Sequence, residues 1–166
     1  VLYKRQVLML LFFDDEEIIA RRTADAVGLP LAVVQRHRFP DGEMRLRLPQ
    51  TLPEQVVIWR GLHQPNEKLV ELLLAARTAR TLGAQHLTLV TPYLAYMRQD
   101  IAFNPGEAVS QRIVGAFLAD LFDAVITVDP HLHRVTTLQE AIPVRDAIVL
   151  SGCLLYTSDA ADERSS

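Results

Sequence analysis

The sequence predicts an α/β fold, a three-layer sandwich built around a mainly parallel sheet. Short apolar runs of strand length alternate along the chain with stretches of helical periodicity. Such alternation is typical of parallel strands joined by right-handed helical crossovers. Residues 39–48 interrupt the alternation and predict an antiparallel hairpin that projects from the sheet. With 166 residues, no internal repeat and no linker, one domain is the expected organisation.

The first strand and helix are marked by an abrupt change from apolar to acidic residues. Residues 7–13 form a continuous apolar run, as in a strand buried on both faces. Asp14 and Asp15 follow at once and are expected to cap the next helix. The residues that follow helical spacing are Ile18, Ile19, Arg22, Ala26 and Val27. Gly28 and Pro30 are typical of a helix end.

The hairpin comes next. Residues 31–39 read as one strand and residues 44–48 as another, with Pro40-Asp41-Gly42 as the turn between them. The second strand alternates, which places Arg45 and Arg47 on the face opposite its apolar residues. The apolar residues of this strand are Met44, Leu46 and Leu48.

The second half continues the alternation of strands and helices. A short buried strand at residues 56–59 precedes a helix that we expect to be capped by Asn66, to run to about Leu82 and to stop at Gly83. The remaining predicted strands are residues 86–90, 124–128 and 147–150. A helix over residues 107–122 carries an apolar stripe formed by Ile113, Val114, Phe117, Leu118 and Leu121.

Bulk properties exclude several classes of protein. The formal net charge of -3 gives no basic field that would indicate a nucleic acid partner. No apolar run is long enough to span a bilayer. Cys153 is the single cysteine, so the chain forms no internal disulfide, and a cytoplasmic location is expected. A local cluster of arginines is compatible equally with a solvated strand face and with phosphate contacts; it comprises Arg36, Arg38, Arg45 and Arg47.

Both ends of the chain differ in character from the rest. Residues 1–6 and 153–166 resemble translated read-through of non-native sequence, and a native, poorly ordered tail is the alternative. We therefore expect the domain to occupy residues 7–152.

Three polar stretches are candidates for a functional site. The first is the hairpin turn with Phe39, Asp41 and Glu43, whose carboxylates suit hydrogen bonds to a sugar hydroxyl or an exocyclic amine, although from these residues alone a solvated turn is favoured. Phe39 can stack on a base or close the core. Because ligands of parallel sheets sit at the carboxyl ends of strands, the other two stretches, which follow strands, are expected to share one site.

The second stretch lies in a long loop after the strand at residues 86–90. Arg98 can grip phosphate oxygens with two parallel hydrogen bonds, Gln99 can read an adenine edge or a phosphate, and Asp100 is expected to orient Arg98. The alternative is an exposed polar loop tip.

The third stretch follows the strand at residues 124–128. His131 is a candidate ligand for a divalent cation or a donor to phosphate. Asp129 either fixes the tautomer of His131 or caps the backbone after the strand. His133 is expected to be solvated. The chain contains neither the phosphate-loop motif of ordinary kinases nor the Gly-x-Gly-x-x-Gly motif of dinucleotide-binding domains.

These motifs resemble those of the ribose-phosphate pyrophosphokinase family. Residues 92–100 are close to the family's Pro-Tyr-x-x-Tyr-x-Arg-Gln-Asp, and Asp129-Pro130-His131 is close to its Asp-Leu-His. The hairpin turn matches the family's acidic hairpin, and the similarity covers nearly all of residues 7–152. The resemblance implies a phosphoribosyltransferase-like fold and transfer of pyrophosphate from Mg-ATP to ribose 5-phosphate in nucleotide biosynthesis.

The resemblance also implies roles for individual residues. Arg98, Gln99 and Asp100 would contact ATP, and His131 would help to hold Mg²⁺. The hairpin residues Phe39, Asp41 and Glu43 would meet an ATP molecule bound mainly by a neighbouring subunit, so the full-length protein is expected to form a homo-oligomer.

Two departures from the family pattern limit these expectations. Family members have two similar domains, and the catalytic loop and the ribose-phosphate loop of the second domain have no counterpart here, so we expect no catalytic residue in this chain and no activity from it alone. The residues that follow His131 indicate a divergent branch. A non-catalytic interaction subunit of the same fold is the alternative, and a phosphoribosyltransferase is disfavoured because those enzymes do not use ATP.

Overall fold

A computed structural model describes residues 8–152 and shows a seven-stranded sheet with helices on both faces. Its strands are β1 (Leu8–Phe13), β2 (Leu31–Arg38), β3 (Met44–Arg47), β4 (Gln55–Trp59), β5 (His86–Thr91), β6 (Ala124–Val128) and β7 (Asp146–Leu150). Its helices are α1 (Glu17–Val27), α2 (Pro65–Thr81), α3 (Ser110–Leu121) and the short α4 (Leu138–Ala141), with a 3-10 turn at Asp14–Glu16. The two predicted non-native segments lie outside the described residues.

The order of the strands in the sheet is β3-β2-β1-β4-β5-β6-β7. All neighbouring strands are parallel except β2 and β3, which form the antiparallel hairpin at one edge. The predicted fold class is therefore confirmed, including the hairpin. Within the hairpin, Gln35 pairs with Arg47 and His37 with Arg45, so these four side chains share one face.

Alternation along β1 distributes its side chains between the two layers of helix. Leu10 and Phe12 pack with Ala20 and Ala24 of α1 on one face of the sheet. Leu11 and Phe13 point to the opposite face, where the larger core contains the buried residues of α2, α3 and α4. The three layers are thus α1, the sheet, and the layer formed by α2, α3 and α4.

The helices differ from the sequence predictions in several details. Asp14 and Asp15 do not cap α1, since the residue before the helix is Glu16, whose own side chain makes no capping hydrogen bond within residues 8–152. Asn66 does not cap α2 either, because the helix begins at Pro65 after Gln64. Gly28 does end α1, with a φ of 69° that suits glycine.

The packed faces of α1 and α3 also differ in part from the apolar spacing. Ile18 and Ile19 are 72% and 57% exposed, whereas the small residues Ala20 and Ala24 are buried. In α3, which begins at Ser110 and not at residue 107, Ile113 is exposed while the rest of the predicted stripe faces the core. Small residues allow a helix to lie close to the sheet, and the larger side chains beside them then remain outside.

The close packing of α3 against α4 depends on a glycine. A Cβ added at Gly115 would overlap the backbone carbonyl of Ala141. Helix α4 itself is capped by Thr137, whose hydroxyl accepts from the backbone N–H of Glu140 at 3.3 Å. No helix within residues 8–152 combines the length and the apolar character needed to cross a membrane.

Candidate functional site

A cavity of about 720 Å³ opens at the carboxyl edge of the sheet. Its walls are the segment that enters α2, the loop after β5 and the loop after β6. The lining residues are Leu62, His63, Gln64, Pro65, Asn66, Tyr93, Leu94, Ala95, Tyr96, Met97, Arg98, Gln99, Val128, Asp129, Pro130 and His131. The structure therefore brings Arg98, Gln99 and His131 to one cavity, at the edge where parallel sheets bind ligands.

Backbone strain is concentrated in the walls of this cavity. Within residues 8–152, three residues other than glycine have positive φ angles: Gln64 at 51°, Tyr96 at 64° and Asp129 at 37°. All three line the cavity, one in each wall. Such conformations cost roughly 1–3 kcal/mol each and persist where the surrounding structure enforces them, often at functional sites. The strain identifies this cavity as the candidate site independently of any motif.

Several hydrogen bonds hold the backbone of the loop after β5. Thr91 Oγ1 donates to the carbonyl of Tyr93 at 2.7 Å. Buried Gln111, in the first turn of α3, donates from Nε2 to the carbonyl of Met97 at 3.0 Å and from its backbone N–H to the carbonyl of Gln99 at 3.1 Å. The Tyr96 hydroxyl donates to Asn66 Oδ1. These bonds hold the backbone on both sides of Arg98 in place.

Arg98 is exposed and lines the cavity. The ion pairs found within residues 8–152 do not include it. Its five guanidinium N–H donors are consequently available to an anionic ligand, and their planar fork matches phosphate oxygens.

Gln99 is half-buried and part of a loop network centred on Glu107. Its amide Nε2 donates to the carbonyl of Ile101 at 3.1 Å and to Glu107 Oε2 at 3.2 Å. Glu107 also accepts from the Asn104 side chain at 2.6 Å and from the backbone N–H of Phe103 at 2.9 Å. These hydrogen bonds, that from Asn104 foremost, hold the pKa of Glu107 below its usual range. Because the N–H groups of Gln99 are used inside the loop, its carbonyl oxygen is the atom that can accept from a ligand.

Asp100 occupies a different position from its two neighbours. Its side chain is 1% exposed, and Oδ1 accepts from Arg134 Nη1 at 2.5 Å. The carboxylate is paired with Arg134 and not with Arg98, and Asp100 does not line the cavity. The expected orientation of Arg98 by Asp100 therefore has no counterpart in this geometry.

The loop after β6 supplies the facing wall. His131 is exposed, lines the cavity and meets the ring of His133 edge-on at a centroid distance of 5.5 Å. Asp129 Oδ2 accepts from the backbone N–H of Gly152 at 2.8 Å. Of the two roles considered for Asp129, capping the backbone is the one observed. Within residues 8–152, no group of three His, Cys, Asp or Glu side chains could enclose a metal ion.

The hairpin turn lies away from the cavity. Phe39, Asp41 and Glu43 belong to the β2–β3 connection at one edge of the sheet, whereas the cavity lies over β4, β5 and β6. Asp41 Oδ1 accepts from the backbone N–H of Glu43 at 3.1 Å, and Phe39 is 37% exposed. The turn is thus ordered locally but does not reach the Arg98 wall of the same chain.

A buried ionic network beside the cavity was missed by the sequence analysis. Arg60, at the end of β4, is 1% exposed and pairs with buried Glu71 of α2 at 2.5 Å, with Asp15 at 2.6 Å and with Glu16 at 3.0 Å. Its guanidinium also lies over the Phe13 ring, 4.5 Å from the centroid. Burial alone would lower the pKa of Arg60, but its bond to Asp15 and the charge of Glu71 outweigh burial and raise that pKa above its usual range.

The same network explains part of the arginine cluster. Arg36 pairs with Glu71 at 2.8 Å and with Asp14 at 2.7 Å, and Arg38 pairs with Glu67 at 2.5 Å. These two arginines are therefore partners of carboxylates. The run of four consecutive acidic residues at 14–17 could have indicated such a network, because fewer carboxylates are enough to stabilise the positive end of a helix.

Comparison with known proteins gives a family match over most of the described chain. Residues 8–121 match the family described as the N-terminal domain of ribose phosphate pyrophosphokinase. The match runs from the start of β1 to the end of α3 and so includes the Arg98 loop and the hairpin, but it ends before His131.

Individual relatives carry the same name. The ribose-phosphate pyrophosphokinase of Methanopyrus kandleri is 41% identical over 122 residues, which are 73% of this chain and 41% of that protein. That of Saccharolobus solfataricus is 40% identical over 108 residues, which are 63% of this chain and 37% of that protein. The chain thus spans about two fifths of the length of these relatives.

A solved structure shares the fold. The crystal structure of phosphoribosylpyrophosphate synthetase from Mycobacterium smegmatis superposes with a TM-score of 0.78 at 21% identity, covering 93% of this chain and 52% of the other. At this identity the likeness concerns the fold alone, and it agrees with the sheet topology described above.

Proposed function

The chain belongs to the ribose-phosphate pyrophosphokinase family, as its N-terminal domain, and from this premise we propose that the cavity at the carboxyl edge of the sheet binds Mg-ATP. The observation that carries the proposal is the convergence of Arg98, Gln99 and His131 on a cavity in which the backbone strain of the described chain is concentrated. Within residues 8–152 the Arg98 guanidinium has no carboxylate partner, and it lines the same cavity as His131; such a combination suits a polyphosphate chain.

The reaction proposed for the full-length protein is transfer of a pyrophosphoryl group from ATP to ribose 5-phosphate. The anomeric hydroxyl loses its proton to solvent and its oxygen bonds to the β-phosphorus, the bond from that phosphorus to the α,β-bridging oxygen breaks, and AMP leaves with that oxygen. Such transfers depend on positioning and on neutralising charge that develops on phosphoryl oxygens, and they need no covalent intermediate with the protein. This chain would contribute the nucleotide half of the site.

Each cavity residue has a role that its surroundings support. Arg98, whose guanidinium has no ion-pair partner within residues 8–152, would hold phosphate oxygens, and the loop bonds on either side of it would reduce the entropy lost on binding. The side-chain carbonyl oxygen of Gln99 would accept from the exocyclic amine of adenine, because its Nε2 already donates within the loop. His131 would contact the phosphates or the metal ion from the opposite wall.

The donor set fits a metal ion that arrives on the triphosphate. Mg²⁺ in nucleotide sites is commonly held by one or two side chains together with substrate phosphates and water, and no enclosing cluster is present within residues 8–152. His131 and Asp129 are the residues that would approach it. When bound, the ion neutralises phosphate charge during the transfer.

The position of the hairpin supports a role between subunits. Phe39, Asp41 and Glu43 are exposed and do not reach the cavity of their own chain. We propose that they contact adenine and ribose of ATP bound by a neighbouring copy, which requires the full-length protein to be a homo-oligomer. Gly42, with a φ of 93°, lets the turn present both carboxylates on the same short loop.

The proposal is tested by production of AMP that depends on ribose 5-phosphate. This chain alone should give none. Joined to the remaining C-terminal portion of the Methanopyrus kandleri relative, it should regain activity, and Arg98→Ala in that hybrid should lower the activity strongly while Arg112→Ala, on the exposed side of α3, should not. Activity of the chain alone would overturn its expected dependence on a second half. A hybrid whose activity is unchanged by Arg98→Ala would overturn the assignment of the cavity as the ATP site. A hybrid that binds ATP without forming AMP would favour the alternative of a non-catalytic interaction subunit of the same fold.

A further inference from the structure

A single ion pair joins the loop after β5 to the loop after β6, which form two walls of the cavity. Asp100 lies in the loop after β5, directly after Gln99, and Arg134 lies in the loop after β6, three residues after His131. Among residues 8–152, their bond of 2.5 Å is the one hydrogen bond or ion pair that joins residues 96–105 to residues 129–136. We propose that Arg134 is a positioning residue, which sets the separation between Arg98 and Gln99 on one wall and His131 on the other; this inference rests on the proposed binding of Mg-ATP.

The two partners of this ion pair differ in exposure, so that the buried Asp100 needs Arg134 as its charged partner more than Arg134 needs Asp100. The Asp100 side chain is 1% exposed, whereas the Arg134 side chain is 51% exposed. A carboxylate withdrawn from water needs a charged partner, while an exposed arginine does not. Within residues 8–152, the second carboxylate oxygen, Oδ2, has no hydrogen-bond partner, so Arg134 is the charged group that compensates the buried Asp100 carboxylate.

A second contact orients the arginine. The Arg134 guanidinium lies over the ring of Phe103, at 5.7 Å from the centroid, and Phe103 belongs to the same loop as Asp100. The backbone N–H of Phe103 is in turn held by Glu107, which also bonds Gln99. Arg134 therefore meets the loop after β5 at two places, one on each side of Ile101 and Ala102.

Loss of Arg134 has a defined consequence for the site. The buried carboxylate of Asp100, left without its charged partner, would turn toward water, and this change would move the backbone next to Gln99 and Arg98. The two loops would also lose the polar link that joins them. Lysine at position 134 would retain the charge but not the planar guanidinium that spans Asp100 and Phe103, so it should restore the site only in part.

The test combines calorimetry of Mg-ATP binding with hydrogen–deuterium exchange of the chain without nucleotide. Arg134→Ala should raise the Mg-ATP dissociation constant about tenfold or more, as expected for loss of a group that orients ligand-binding residues. Arg134→Lys should lie between this variant and the wild type. Asp100→Asn and the double variant should bind no more weakly than Arg134→Ala, because both residues act through one bond.

A matched control separates this role from general loss of stability. Arg77→Ala removes an exposed Arg–Asp pair, with Asp120, that joins α2 to α3 away from the cavity. It should leave both Mg-ATP affinity and loop exchange unchanged. In Arg134→Ala, exchange should accelerate in residues 96–105 and 129–136 and not in β4 or β5; acceleration throughout the sheet would indicate a merely structural role and overturn the inference.

The two readouts distinguish failure of this inference from failure of the proposed function. If wild-type chain binds Mg-ATP and Arg134→Ala binds it equally well, or if the effects of the two single variants add, Arg134 does not position the site. If the wild type binds no Mg-ATP, the proposed function fails for this chain, and hydrogen–deuterium exchange alone decides whether Arg134 holds the two loops together. Faster exchange in Arg134→Ala that is confined to these loops supports that role, and unchanged exchange refutes it.

Discussion

Replacing Arg60 by methionine should destabilise the domain more than any exposed arginine substitution does. Arg60 is 1% exposed and pairs with Glu71, which is 2% exposed, and with the carboxylates of Asp15 and Glu16. Methionine fills much of the same volume, so the change tests the charge and not a cavity. The variant leaves Glu71 buried with Arg36, at 2.8 Å, as its remaining cation.

The size of the effect follows from these contacts. Removing one partner of a buried ion pair costs about 3–5 kcal/mol. Because Arg36 still faces Glu71, we expect the lower end, about 3 kcal/mol, which includes the lost contact with the Phe13 ring. Against a total stability of about 5–15 kcal/mol, such a loss is large but leaves a folded protein to measure.

Urea unfolding followed by circular dichroism is the assay. With a slope of about 1–3 kcal/mol/M, the midpoint for Arg60→Met should fall by about 1–3 M. The matched control is Arg21→Met, which breaks an exposed pair with Glu17 one helical turn away and should cost at most about 0.5 kcal/mol.

A double-variant cycle identifies the partner. Arg60→Met combined with Glu71→Leu should be less destabilised than the sum of the two single variants, by about 0.5–3 kcal/mol, because the buried carboxylate that lacked its partner is gone. A loss below about 1 kcal/mol for Arg60→Met, or strict additivity in the cycle, would refute the view that a buried ion pair with Glu71 holds β4 against α2.

Three further predictions concern other contacts. Asp123 accepts from the backbone N–H of Leu87 and from Arg80, and although burial alone would raise the pKa of Asp123, these bonds lower it. The contribution of Asp123 to stability is therefore present above pH 3.8 and is lost as the pH falls through the lowered pKa. Acid titration of Asp123→Asn should accordingly show a shallower loss of stability below pH 3.8 than that of the wild type. Gly115→Ala should cost about 1–3 kcal/mol or more in denaturant unfolding, because the new methyl group meets the carbonyl of Ala141, while Ala116→Ser on the exposed face should stay within about 0.5 kcal/mol; equal stabilities would show that α4 moves freely. Glu107→Gln should speed amide exchange at Phe103, since one neutral acceptor replaces the carboxylate that serves three donors, and unchanged exchange would mean that this loop is held from elsewhere.

The strands could be predicted from the sequence because their signal is local. The apolar run of β1 is buried on both faces, and the alternation of Met44, Arg45, Leu46 and Arg47 reproduces the burial of the hairpin strand. The predicted and observed strand limits differ by at most one residue. Burial of a continuous apolar run is required by any parallel sheet with helices on both faces, so no knowledge of long-range contacts was needed.

The N-terminal cap of α1 could not be predicted, because distant residues compete for the side chains expected to form it, whereas the glycine that ends α1 could. Asp14 and Asp15 lie at the start of a helix, as a cap would, but their carboxylates bind Arg36 and Arg60, which come from β2 and the end of β4. The charged pairs offer a stronger partner than a backbone N–H. In α1, spacing indicated a helix but could not show that Ala20 and Ala24, and not the isoleucines, would lie against the sheet.

The residues that line the candidate site could be predicted from the sequence, but the contacts that hold them could not. Arg98, Gln99 and His131 stand in loops that follow strands, and the rule for parallel sheets places such loops together. Nothing local showed that Asp100 would turn inward to Arg134, 34 residues away. The spacing of Asn104 and Glu107, which matches a capping box, was a usable local signal for the network that holds Gln99.

Calorimetry of ATP binding in the presence of magnesium decides whether Arg98 and His131 form one Mg-ATP site on this chain. We expect saturable binding by the wild type, loss of that binding in both Arg98→Ala and His131→Ala, and unchanged binding in Arg112→Ala, with all three variants folded by circular dichroism. A folded wild type that binds no ATP, or binding that survives both substitutions, would show that the two residues do not form such a site.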